Sequence, residues 1–421
     1  MGDSRGSPPN PNTARDRLKD LHPNIWVATV TSLLTDISSE MLVYLIPLFL
    51  SNVLGMRTAI IGLIDGVAEA TASLLKVYSG AISDRFRARK WLAVAGYSIS
   101  TIAKPFLYFA TSWAWVMGVR FADRVGKGIR NPPRDALVAA SVAGNRRGLA
   151  FGLHRAGDTA GAFLGIAAAA AIIWWTQAGG LRLSRLTFQT AVLISIVPAA
   201  LGVIVLALGA REVASPSGTR QAVGLSLRGL DRRFTGFLVA VIVFTLGNSS
   251  DSFIVLRGQE RGLTLLQIMG MLMTFTLVYA LLSGPLGVLS DRIGRARLIL
   301  AGWLAYGMVY LGLAAARTGW HIWVLFGLYG IYYASTEGVM RALVADLVPD
   351  ARRGTAYGLF NAAVGLTALP ASLVAGVLWQ GVGGWQGFGP AAPFLFGAAM
   401  ALLAGALFWR LVTLHPANSE V

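Results

Sequence analysis

The chain has 421 residues, 55% hydrophobic and 13% charged, which is about half the charged share of an ordinary soluble domain and makes a lipid bilayer its solvent. The formal charge of +16 would suit nucleic acid in a soluble protein, but here Arg and Lys fall in short clusters between apolar spans, so no nucleic-acid partner is expected. The absence of cysteine excludes disulfides, thiolate metal sites and thiol nucleophiles.

The first ~20 residues are polar and lack the apolar core and small-residue cleavage site of a signal peptide, so the amino end is expected in the cytoplasm. At roughly 20 apolar residues per crossing, spans are expected near 25–50, 58–83, 91–110, 113–134, 148–175 and 188–209. A second set follows near 234–256, 264–289, 297–316, 320–345, 354–379 and 391–412. The expected organisation is a cytoplasmic tail (1–23), a six-helix bundle (24–210), a cytoplasmic linker rich in Ser, Gly and Arg (211–233), a second six-helix bundle (234–412) and a cytoplasmic tail (413–421). Clusters such as Arg85, Arg87, Arg89 and Lys90, then Arg146 and Arg147, then Arg292, Arg295 and Arg297, then Arg352 and Arg353 fall on alternate loops. By the positive-inside rule both termini are expected in the cytoplasm. Pro132 and Pro133 should end or bend span 4 at its inner end, and Pro47 and Pro370 should kink spans 1 and 11. Gly157, Gly161 and Gly165 recur every four residues in span 5, a small-residue stripe for tight helix packing.

The two halves repeat one another. Gly80-Ala81-Ile82-Ser83-Asp84-Arg85-Phe86-Arg87-Ala88-Arg89-Lys90 returns 207 residues later as Gly287-Val288-Leu289-Ser290-Asp291-Arg292-Ile293-Gly294-Arg295-Ala296-Arg297. Arg147-Gly148-Leu149-Ala150-Phe151-Gly152 returns as Arg353-Gly354-Thr355-Ala356-Tyr357-Gly358. Two homologous bundles about a pseudo-two-fold axis can rock around a site between them. This layout, with Gly-x-x-x-Asp-Arg-x-x-x-Arg-[Lys/Arg] after spans 2 and 8, Arg124-Val125-Gly126-Lys127-Gly128 in span 4 and Ala345-Asp346-Leu347-Val348-Pro349 before Arg353-Gly354, resembles the major facilitator superfamily. The resemblance implies an all-α membrane protein of twelve transmembrane helices in two pseudo-symmetric six-helix bundles. It also implies that spans 1, 4, 7 and 10 surround a central cavity. The repeated loops would then latch the halves together at the cytoplasmic face, through Gly80, Asp84, Arg85 and Arg89 and through Gly287, Asp291, Arg292 and Arg295. Exporters of the family often carry a Gly-Pro signature in span 5, where this chain has Ala162 after Gly161.

Charge inside hydrocarbon is costly and normally faces a bundle interior or water. Spans 6, 9 and 12 carry none in their apolar bodies and span 3 carries only Lys104, whereas spans 1, 4, 7 and 10 hold Asp36 and Glu40, then Arg120, Asp123, Arg124 and Lys127, then Asp251, then Glu337 and Arg341. Counted inward at about 1.5 Å per residue, Glu40, Glu69 and Arg124 lie near the bilayer midplane and are expected to share one site. Asp36 and Glu40, and Asp65 and Glu69, are each four apart and so share a helix face. Carboxyls crowded at one depth are desolvated and repel, the conditions under which one can carry a proton near neutral pH. The alternative is a permanent ion pair of Glu40 or Glu69 with Arg124. Arg124 and Lys127 suit an anionic substrate or, because acids outnumber bases at that level, neutralise the acids around them. In span 5 an Arg155 to Asp158 pair is expected, with His154 a lesser option as proton relay. Glu337 and Arg341 read as a structural pair or part of the inner gate.

The leading expectation is a secondary active transporter working by alternating access, with a small organic solute bound between the halves and proton-coupled efflux by antiport. A proton-coupled symporter or exchanger of an organic anion is the alternative, and a non-transporting receptor or scaffold a minor one. No enzyme is expected, since His-Glu-x-x-His, a nucleophile elbow and a phosphate-binding Gly-x-x-x-x-Gly-Lys-[Ser/Thr] loop are all absent. No metal or cofactor is expected beyond a proton gradient, and the partners are the solute and membrane lipids, with a monomer as the working unit. Arg outnumbers Lys thirty-one to five, which points to a GC-rich bacterial genome and an inner-membrane location.

Overall fold

The computed structural model describes residues 21–86, 89–142, 146–213, 230–349 and 352–413, which excludes most of the expected linker and both tails. Among them the chain forms twelve helical spans and no strand. α1 is Pro23–Asn52, α2 Thr58–Phe86, α3 Arg89–Ala103 tightening into a 3-10 turn over Lys104–Phe109, α4 Trp113–Ala140, α5 Arg147–Gln177 and α6 Arg185–Gly209. α7 is Arg232–Glu260, α8 Leu265–Ile293, α9 Arg295–Ala315, α10 Gly319–Leu347, α11 Arg353–Gln380 and α12 Ala392–Phe408. Nine of the described helices are long and apolar enough to cross a membrane. The exceptions have local causes: α3 loses its last turns to the 3-10 segment, α4 carries seven charges from Arg120 to Asp135, and α10 is diluted by His321, Glu337, Arg341 and three tyrosines.

α4, α6, α8 and α10 all begin at the same end of the molecule, and each opens on a hydroxyl. Ser112, Ser184, Thr264 and Thr318 accept hydrogen bonds from first-turn N–H groups that have no partner inside their helix. The other end, where the basic clusters lie, is called the basic end below.

Proline acts differently in each helix. α1 is interrupted at Tyr44, three residues before Pro47, because the Pro47 ring has no N–H to give the Val43 carbonyl and crowds it. α4, by contrast, runs unbroken through Pro132 and Pro133 to Ala140, past the end expected at 134. Pro132 frees the carbonyl of Gly128, and the Ser79 hydroxyl of α2 donates to it at 2.8 Å. α11 remains one helix through Pro370. α7 is divided between Gly247 and Ser252, where the Ser250 hydroxyl accepts from the Ser252 N–H at 3.2 Å and draws the backbone out of the helix.

Within the first half α1 packs on α5 and α6, and α4 on α2 and α3; within the second, α10 packs on α8 and α9, and α12 on α7 and α9. The halves meet along α2 with α11 and α5 with α8, two seams that exchange under the repeat. The glycine stripe of α5 seats it on α1: a Cβ on Gly157 would lie 2.6 Å from the Thr29 methyl, on Gly161 2.6 Å from the Leu33 carbonyl, and on Gly165 3.1 Å from the Glu40 Cβ. The second-half core is aromatic, with Phe244 stacked on Trp303 at 4.6 Å and Tyr306 on Tyr310 at 4.0 Å. Trp174, Trp175, Leu208 and Met308 stand on the outer surface, apolar side chains whose solvent is lipid.

The two ends differ. Away from the basic end the seams are shut: Thr58 donates through its hydroxyl to the Gly376 carbonyl at 2.9 Å and through its N–H to Gln380 at 2.7 Å, and Gln259 donates to the Leu181 carbonyl at 2.7 Å. Gly66 and Gly376 let the backbones touch, since a Cβ at either would sit 2.7 Å from the Cα of Leu369 or Ala59. Toward the basic end Gly148 and Gly152 of α5, Gly284 and Gly287 of α8 and Gly354 of α11 all face open space. The molecule is therefore open at its basic end.

Candidate functional site

That opening leads into a cavity of about 720 Å³ between the halves, a size typical of sites for drug-like molecules. α1 supplies Asp36, Glu40 and Tyr44, one face of the helix at four-residue spacing. α4 supplies Lys127, Arg130 and Arg134, and α5 supplies Arg155 and Asp158. The opposing wall is mainly aromatic, from Phe275 and Tyr279 of α8, Tyr333 of α10 and Tyr357 of α11, with Glu337 and Arg341 nearer the mouth. α3, α6, α9 and α12 contribute nothing to it, and α7, expected as a cavity helix, contributes nothing either.

The reason for the α7 exception is Asp65. Its carboxylate pairs with Arg120 at 3.2 Å within the first half and accepts from the Ser250 and Ser252 hydroxyls of α7 at 2.8 and 2.5 Å. These bonds hold the broken part of α7 in the shut end, above the cavity. Asp251 sits at that break, where Tyr329, Asp65 and Glu40 bear on its charge, rather than on the cavity wall.

Glu40, Glu69 and Arg124 are near enough for Arg124 to act on both acids, but they do not line one cavity. Glu40 lines the cavity, whereas Glu69 and Arg124 do not. Arg124 meets Glu40 only across a small inner pocket of about 50 Å³, and its nearest acid is Asp123 at 3.9 Å. Equal depth on helices does not give equal azimuth: Glu69 stays off the cavity wall, while Arg124 and Lys127 still bear on its charge. Bases also outnumber acids on the cavity wall: Lys76, Lys127, Arg130, Arg134, Arg155 and Arg341 against Asp36, Glu40, Asp135, Asp158 and Glu337. The surplus of acids expected at the depth of Arg124 does not extend to the whole wall, because α4 remains helical beyond its prolines and carries Arg130, Arg134 and Asp135 onto it.

Arg155 does not pair with Asp158. Its long side chain crosses to the other half, 3.0 Å from Glu337 and hydrogen-bonded to the Tyr279 hydroxyl, which itself donates to Glu337 at 2.6 Å. Asp158 stays on its own helix, 3.8 Å from Nε2 of the buried His154. Arg341 lies 3.7 Å from Glu337, so that expected pair is present and extended by Arg155.

Of the two loop motifs, Gly80, Asp84 and Arg85 lie outside the described residues apart from their helical backbone, while Arg89 offers its N–H to Glu212 at 2.9 Å. The second copy is visible. Arg295 pairs with Asp346 at 2.5 Å and with Asp291 at 3.6 Å, Arg292 is exposed, and Gly287 faces open space. These contacts tie α9 to α8 and α10 inside one half and do not latch one half to the other; at this end the bridge between the halves is Arg155 with Glu337 and Tyr279.

Several contacts of buried cations lie outside what the sequence indicated. Lys104 is buried and donates to Ser38 at 2.6 Å and Ser39 at 3.2 Å, and Arg130 donates to Ser100 at 2.9 Å while stacking over Tyr97. Arg130 and Arg134 continue the face of Lys127 at helical spacing, a signal obscured by ending the helix at the prolines. The aromatic wall carries no charge pattern to find.

Comparison with known proteins agrees with this architecture. The family model described as Major Facilitator Superfamily matches residues 28–273 and 233–421. An uncharacterised MFS-type transporter of Methanocaldococcus jannaschii is 35% identical over 402 residues, covering 94% of this chain and 96% of its own. A multi-drug resistance efflux pump, PmrA, of Streptococcus pneumoniae is 23% identical over 338 residues, 78% of this chain and 82% of its own. The crystal structure of a nucleoside transporter, NupG, superposes with a TM-score of 0.77 at 13% identity, covering 92% of this chain and 99% of that one, a likeness of fold. With a model matching both halves and a relative aligned almost end to end, the chain belongs to the major facilitator superfamily and is an integral, multi-pass membrane transporter rather than an enzyme.

Proposed function

We propose that the protein is a proton-coupled secondary transporter that expels a small organic solute by alternating access, with Asp36 and Glu40 carrying the proton. One observation supports this above others: both carboxyls face the cavity without an ion pair or hydrogen bond among the described residues. A carboxyl so placed has two ways to lose its cost of burial, by binding a proton or by meeting a cationic group of the solute. Mutual exclusion of those two is antiport. The similarity to a Streptococcus pneumoniae efflux pump favours the outward direction. The basic loops support a cytoplasmic position for both termini, and the excess of Arg over Lys supports a bacterial inner membrane. The second reading, an organic anion carried with protons, draws on the six bases against five acids of the wall.

Reconstituted vesicles with an imposed pH gradient test the proposal. Solute flux should follow the gradient, and Glu40→Gln should uncouple the two while leaving the protein folded. Flux indifferent both to the gradient and to Glu40→Gln would remove the proton from the mechanism.

A further inference from the structure

The charges of the cavity divide into those that already have partners and those that do not. Arg134 is held by Asp135 at 2.8 Å, and Arg155, Glu337, Arg341 and Tyr279 satisfy one another across the mouth. Among the described residues Asp36 and Glu40 on α1 have no hydrogen bond and no ion pair within 4.0 Å, and Lys76 on α2 and Lys127 and Arg130 on α4 have no carboxylate within 4.0 Å. Buried charges are normally paired, because a lone ion out of water costs several kcal/mol. Here charges of both signs line one cavity without closing into contact pairs: Lys127 bears on Asp36 and Glu40, and Arg130 on Asp36, from beyond 4.0 Å.

We infer that the transported solute is zwitterionic and aromatic. Its anionic group meets Lys127 and Arg130, its cationic group meets Asp36 and Glu40, and its ring lies against Phe275, Tyr279 and Tyr333. Each of its charges completes a contact pair that the wall residues do not make among themselves, so binding carries no net burial of charge. A singly charged solute would leave one of the two stripes unsatisfied. The aromatic wall adds stacking and cation–π contact, which any planar ring or delocalised cation can use. A proton on Glu40 competes with the cationic group alone, which makes one end of the solute sensitive to pH and the other not. The inference rests on reading this cavity as the transport site, and its test is equilibrium binding, which needs no gradient; failure of coupling and failure of substrate class are thus separate results.

Three dyes of related ring system separate the charges: rhodamine B, a zwitterion; its ethyl ester, a cation; and fluorescein, an anion. Binding to the purified full chain is read by fluorescence anisotropy at neutral pH. Rhodamine B should bind about tenfold or more tightly than either of the others. Glu40→Gln should weaken rhodamine B and its ester together and spare fluorescein. Lys127→Gln should weaken rhodamine B and fluorescein and spare the ester, and Lys127→Arg should restore them. The rank order in the native protein decides the matter even where a variant does not fold. Equal or tighter binding of the cationic ester or of the anionic fluorescein, or no saturable binding of rhodamine B at millimolar concentration, would overturn the inference.

Discussion

Asp65 holds three partners at once, Arg120 in its own half and Ser250 and Ser252 in the other, with about a tenth of its side chain exposed. Removing either member of a buried ion pair leaves the other uncompensated, at about 3–5 kcal/mol. Asp65→Asn and Arg120→Gln should therefore each lower the melting temperature sharply, while the double variant loses less than the sum, by a coupling of about 0.5–3 kcal/mol. Strictly additive losses would show that the pair is not energetically joined. Asp346, half exposed beside Arg295, gives the comparison. Asp346→Asn should cost only about 0–1 kcal/mol, because water replaces most of what the pair supplies.

Glycine has opposite meanings in the two ends of α5. A side chain on Gly165 would strike the Ile37 carbonyl at 2.6 Å and the Glu40 Cβ, both on the helix that presents the cavity carboxyls. Gly152, thirteen residues earlier on the same helix, meets nothing within 4 Å. Gly165→Leu should therefore destabilise the fold by about 1–3 kcal/mol or more through overpacking, seen as lost yield and a lower melting temperature. Gly152→Leu should melt as the native protein does but transport more slowly, because α5 can no longer close on α8. A normal rate for Gly152→Leu would show that this seam does not close during turnover. The stripe of glycines was readable from its four-residue spacing, but not which members were under pressure. That depends on where α1 and α8 lie, a matter of contacts more than a hundred residues away in the chain.

Across the whole molecule the open basic end and the shut opposite end are one observation seen twice, since α2 with α11 and α5 with α8 exchange under the repeat. The chain contains no cysteine, so single cysteines report access without background. Asn361→Cys, on the cavity wall, should react with a membrane-impermeant thiol reagent added from the basic side. Ser250→Cys, which removes one of the two hydroxyls on Asp65 but stays packed in the shut end, should resist it from both sides until the remaining Asp65 contacts are broken by Asp65→Asn. Prompt reaction of Ser250→Cys in the otherwise native protein would mean that the shut end is not shut.

The sequence alone determined the solvent, the twelve spans, the internal repeat and the positions of Asp36 and Glu40 on one helix face, since these depend on composition and on periods of a few residues. It also assigned the membrane class of function, through motifs repeated at a fixed interval. Tertiary structure alone decided which charges found partners. Arg155 reached Glu337 instead of Asp158, Asp65 joined Arg120 and α7, and α4 continued past Pro132 because Ser79 took up the freed carbonyl. Each of those outcomes depends on the azimuth of one helix against another. Electrostatic energy falls with distance in three dimensions, and separation along the chain does not report it.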